Sequence, residues 1–100
     1  MRQITKDSIN AFYNKTNFKK SNTEVFYSKN QETSYLNLHG NTIAVYKHFN
    51  NSLLISSCGW KTNTTKERLN ALKGVTIQQK NFVWYLNGKE WNGELTDIDK

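Results

Sequence analysis

Two histidines and one cysteine are the residues of this sequence best suited to metal or nucleophilic chemistry, and their spacing argues against both. His39, His48 and Cys58 lie nine and ten residues apart. They follow neither the C-x-x-C nor the H-E-x-x-H pattern that brings ligands to one turn or helix face. A cysteine nucleophile needs a base within hydrogen-bond reach, which no local spacing supplies. Cys58, ending a β-prone run, reads as a small core residue. The eight acids are scattered. Glu24 and Glu32 would oppose each other only in one hairpin register, and Glu67 reads as a helix cap. All five glycines are isolated, so no phosphate-cradling loop is expected. The residues point to no catalytic group, no metal and no cofactor.

Binding chemistry has more to draw on. Fourteen Lys and Arg against eight Asp and Glu give a net charge of +6 and a pI near 9.5. A basic domain attracts DNA or RNA through phosphate contacts and counterion release. Arg2, Lys6, Lys15, Lys19 and Lys20 face only Asp7 within the first twenty residues. A second cluster, Lys61, Thr62, Asn63, Thr64, Thr65, Lys66 and Arg68, surrounds a helix start, where hydroxyls and free N–H groups can hold a phosphate. The end of the chain is acidic, with Glu94, Asp97 and Asp99 against Lys100. Such a dipolar surface steers partners without identifying them. Among the aromatics, Trp84 reads as core and Trp60 as a plug between sheet and helix. Trp91 reads as an exposed anchor, and Tyr85 as either covered or presented to a partner. The candidate contacts are therefore Lys61, Thr62, Lys66, Arg68, Lys15, Lys19, Lys20, Tyr85 and Trp91.

The elements that would position these residues follow from periodicity and turn signals. Ile9, Phe12 and Tyr13 share one face of a helix from about Asp7, its cap, to Lys15. Strands are expected over Thr23–Ser28, Thr33–His39, Thr42–Lys47 and Leu53–Cys58, at meander spacing. Thr64 and Glu67 form a capping box opening a second helix over Thr65–Lys73, with Gly74 beyond its end. Val75–Gln78 and Phe82–Leu86 follow as strands, and Asn87-Gly88 turns the chain into Lys89–Trp91. From Asn92 onward the polar tail is expected to fray. The predicted core is Ile9, Phe12, Leu36, Leu38, Ile43, Val45, Leu53, Ile55, Leu69, Leu72, Ile77, Phe82 and Trp84.

These elements define an α+β fold, an antiparallel sheet of five or six strands with two short helices, as one domain over residues 1–100. That length excludes any large enzyme fold. Mean hydropathy is low, at −0.79, but 13% aromatic residues argue against disorder. Fourteen asparagines depress the hydropathy without adding charge repulsion. With one cysteine, no apolar run long enough to span a membrane and no apolar leader, cytoplasm is the expected compartment. An unprotected edge strand could pair two copies into a homodimer.

Gly40-Asn41-Thr42-Ile43-Ala44 and the segment from Ser57-Cys58-Gly59-Trp60-Lys61-Thr62 to Leu69-Asn70 resemble small bacteriophage-encoded accessory proteins over about a third of the chain. The resemblance implies a protein that binds and modulates or inhibits a host protein, such as a defence or nucleic-acid-handling factor. It carries no catalytic residue across. Direct DNA or RNA binding by the basic residues near the second helix is the alternative.

Overall fold

A computed structural model describes residues 2–98 of the chain. Helix α1 covers Gln3–Tyr13. Five strands follow: β1 (Phe18–Lys20), β2 (Thr23–Ser28), β3 (Thr33–Leu38), β4 (Asn41–Lys47) and β5 (Ser52–Ile55). Helix α2 (Asn63–Asn70) precedes β6 (Ile77–Lys80), β7 (Val83–Leu86), β8 (Lys89–Glu90) and β9 (Thr96–Asp97). The first five strands form an antiparallel meander, and β9 returns to pair with β5, giving a six-stranded sheet. Strands β6, β7 and β8 form a second, three-stranded sheet that the sequence reading did not separate. The α+β class and the main antiparallel sheet with two helices are as expected.

Alternation along the meander sends Thr23 and Val25, Leu36 and Leu38, and Leu53 and Ile55 to one buried face. Strand β4 breaks the alternation. Leu36 pairs with Ala44 but Asn37 pairs with Thr42, so Ile43 is the extra residue of a bulge. Ile43 and Ala44 are both buried, and Tyr46 rather than Val45 packs against the core. The bulge thus overturns the placement of Val45 in the core beside Ile43. Ile9 also packs at the core margin rather than within it.

Helix α1 covers the buried face with Phe12, and Tyr46 meets Phe12 and Tyr13 at ring separations of 6.1 and 5.2 Å. The Tyr13 hydroxyl accepts the Lys73 N–H at 2.9 Å, joining α1 to the turn after α2. Burial raises the Tyr13 pKa, partly offset by that bond. Helix α1 begins at Gln3, four residues before the expected cap. Asp7 lies inside it and accepts a bond from the Gln3 side chain instead. Helix α2 is capped by Thr62, whose hydroxyl accepts the Thr65 N–H at 3.1 Å. That leaves Thr64 within the first turn and frees Glu67 from capping. The helix ends at Asn70, and i to i+3 bonds from Ala71 N–H to Arg68 O, Leu72 N–H to Leu69 O and Val75 N–H to Leu72 O carry the chain past Gly74.

Three hairpins turn through two residues that both have positive φ: His39-Gly40, Asn81-Phe82 and Asn87-Gly88; Cys58-Gly59 shares the signs outside a hairpin. That pattern matches the twist of the flanking strands. Phe82, placed in the core by the sequence reading, instead occupies the second position of such a turn and is 94% exposed. The tail does not fray through residue 98: Thr96 and Asp97 pair with β5 and Ile98 packs on the core. Asp99 and Lys100 lie outside the described residues.

Candidate functional site

The capped start of α2 stands beside the β3–β4 turn, and the space between them is a cleft of about 520 Å³. Its buried lining is Leu38, Ile43, Ser57 and Thr65, and its exposed margin includes His39, Trp60 and Thr62. Trp60 is 61% exposed. It follows Gly59, whose φ of +81° is readily available only to glycine. The chain reverses there, with the Trp60 N–H donated to Ser57 O at 2.9 Å, and the indole is left on the surface. The segment is anchored from below, because Ser57 N–H bonds Gly93 O at 2.9 Å. A Cβ on Gly93 would collide with the Ser57 hydroxyl.

Trp60 and Trp91 have exchanged the roles expected of them. Trp91 is buried and stacked on Trp84, with ring centroids 6.3 Å apart. Its indole N–H is donated to Glu94 O at 3.1 Å and Thr96 Oγ1 at 2.9 Å. It closes the tail over the core and is unavailable as an exposed anchor. Proximity to a polar tail misled because the tail folds back to satisfy the indole.

Arg68 is also withdrawn from the surface, with 1% of its side chain exposed. Nη1 donates to Thr5 Oγ1 at 2.5 Å and to Glu67 Oε1 at 2.7 Å. Nε and Nη2 each lie 3.3 Å from Thr23 Oγ1. One guanidinium therefore ties α2 to α1 and β2, and cannot also hold a phosphate. Burial, and then the neighbouring Arg2 charge, lower its pKa. Glu67 also accepts Arg2 Nε at 2.9 Å and Thr5 Oγ1 at 3.0 Å. The Arg2 hydrogen bond leads the effects that hold its carboxyl at about 2.

The remaining candidates are dispersed. Lys61 and Thr62 are exposed beside the cleft, while Lys66 reaches toward β6, with Nζ 3.3 Å from Gln79 Oε1. Lys15, Lys19 and Lys20 are exposed after α1 and on β1, the edge strand. No lysine lines the cleft. Tyr85 is half-buried on β7 and borders a shallow surface with Gln78 and Lys80.

The groups considered for metal or nucleophilic chemistry have structural partners. His48 Nε2 is 2.8 Å from Ser34 Oγ and its ring meets Tyr27 and Tyr46 edge-on. Burial, then the Lys15 charge, lower its pKa. Cys58 is exposed rather than buried, because its φ of +53° turns it outward at the end of the strand series, with Sγ 2.9 Å from Thr42 O. Among the described residues, no three His, Cys, Asp or Glu side chains gather as a metal site. No described helix is long and apolar enough to cross a membrane.

The family model for Kyanoviridae Gp96 protein matches residues 1–97. No curated protein and no solved structure matches the chain.

Proposed function

The chain belongs to the Kyanoviridae Gp96 family of small bacteriophage proteins, and we propose that it is a non-catalytic accessory protein that binds and modulates or inhibits a host protein. The exposed Trp60 beside an apolar-floored cleft carries this reading. An exposed indole costs solvation unless a partner covers it, and tryptophans at the centre of an interface supply a large share of its affinity. The cleft floor of Leu38 and Ile43 is fixed by the β4 bulge, so the surface is preorganised. Exposed Lys61 at its edge would steer an acidic partner. In this reading the partner is a protein of the host cytoplasm, such as a defence or nucleic-acid-handling factor.

Affinity capture from a host lysate, followed by titration of the purified partner, tests the proposal. Replacing Trp60 with Ala is expected to weaken the reconstituted complex by about 2 kcal/mol or more. A complex that forms equally well without Trp60 would contradict it. Direct nucleic-acid binding at α2 would have to rely on Lys61, Thr62 and Lys66, because Arg68 is committed internally. Its signature would be a salt-sensitive mobility shift weakened by Lys61→Ala or Lys66→Ala.

A further inference from the structure

The β6–β7 hairpin ends in a turn that is costly in two ways. Asn81 and Phe82 have φ of +52° and +67°. The other three turns with this pattern, Cys58-Gly59 among them, place glycine second, as the left-handed backbone favours. Here the second position carries phenylalanine, 94% exposed to water. A bulky side chain in that conformation is an outlier, and it packs on nothing that would offset the cost. Its base is rigid by comparison. Trp84 and Leu86 are buried in the core, and the Asn70 side chain bonds both N and O of Ile77, at 2.6 and 3.1 Å. The tip is therefore a stiffly mounted aromatic knob.

The chemistry around the knob selects its partner. Gln78, Gln79, Lys80 and Asn81 are all exposed beside it. Lys80 pairs with Val83 next to the turn and Lys66 Nζ lies 3.3 Å from Gln79 Oε1, whereas Lys89 and Glu90 stand on β8 beside Leu86 and Tyr85, away from the tip. An apolar pocket on a protein would require only the phenyl ring. Lysine and amide side chains flanking an apolar wedge are the combination that reads a DNA minor groove and kinks it by inserting between base pairs. We propose that the β6–β7 hairpin binds duplex DNA from the minor groove, with Phe82 inserted into a flexible base step. Lys80 contacts the phosphates there, and the neighbouring amides meet acceptors on the base edges. This surface is distinct from the Trp60 cleft, and its use does not depend on a host-protein partner.

The test uses the full chain and a 20-base-pair duplex with one central TA step, labelled at both ends for energy transfer. The native protein is expected to bind in low salt and shorten the end-to-end distance, because such steps kink readily. Phe82→Gly removes the wedge while suiting the turn, so its melting temperature should stay level or rise. Its DNA affinity should fall by at least about tenfold, a loss expected from a lost base–aromatic contact, and the bend should disappear. Lys80→Ala should reduce the log–log salt slope by about one. Trp60→Ala should leave the bending intact, which keeps this result separate from that of the cleft. Absence of duplex binding at low salt, or unchanged bending with Phe82→Gly, would overturn the proposal. So would loss of host-protein capture in Phe82→Gly with DNA binding unchanged, which would assign the knob to a protein pocket.

Discussion

The Glu67 carboxylate lies 2.7 Å from the guanidinium of Arg68, its neighbour in the chain, and both charges are used inside the fold. Adjacent helical residues do not ordinarily face each other. Here the guanidinium turns inward to Thr5 and Thr23, while Arg2 closes over the carboxylate from the solvent side. Removing the carboxylate's charge leaves a buried guanidinium poorly compensated. Glu67→Gln should therefore cost about 2–3 kcal/mol in urea denaturation. Lys66→Ala, one residue away and partly exposed, should stay within about 0.5 kcal/mol.

The same contacts set an acid limit. The Glu67 carboxyl is held down from 4.5 to about 2, chiefly by its hydrogen bond from Arg2. A pKa depressed on folding contributes stability that is complete above the unfolded value and lost as pH falls through the folded one. Stability should thus decline between about pH 4.5 and pH 2. Melting temperatures measured across that range should show a shallower decline in Glu67→Gln than in the native protein.

The tryptophans make opposite demands. Trp91→Ala removes a buried ring and its stack on Trp84, and should cost about 3–5 kcal/mol. Trp60→Ala removes an exposed ring and should change stability by less than about 0.5 kcal/mol. Urea denaturation of the two variants measures both. A Trp60 variant as unstable as the Trp91 variant would mean that the exposed indole supports the fold.

Two glycines with similar φ separate strain from collision. Gly59 and Gly93 have φ of +81° and +91°. A Cβ at Gly59 meets nothing within 4 Å, whereas at Gly93 it runs into the Ser57 hydroxyl. Gly59→Ala should cost about 1 kcal/mol from backbone strain alone. Gly93→Ala should cost about 2–4 kcal/mol, the collision adding to the strain. Denaturation midpoints of the two variants check the difference.

Local signals carried the fold further than the site. Strand β2 has the predicted limits, and Asn87-Gly88 makes the predicted turn. Strand alternation and turn chemistry act over a few residues, so the sequence exposes them. The errors came where distant contacts decide. One extra residue at Ile43 moved Val45 out of the core. Asn81-Phe82 lacks the glycine that marks the two companion hairpin turns, so Phe82 reads as the start of a strand. Arg68 looked like a surface cation because its partners Thr5 and Thr23 lie 63 and 45 residues away. Helical periodicity offered a partial signal, since Arg68 adjoins buried Leu69 and sits three residues after buried Thr65. Trp60 could have been flagged by the glycine before it, since a left-handed turn redirects the next side chain.

Partner binding through Trp60 is tested most directly by the affinity of the purified host partner for the native protein and for Trp60→Ala, measured by isothermal titration at matched folding stability. Trp60→Ala should weaken binding about thirtyfold or more, equivalent to about 2 kcal/mol, with Lys61→Ala producing a smaller, salt-dependent loss. Equal affinity of the native and Trp60→Ala proteins would contradict it.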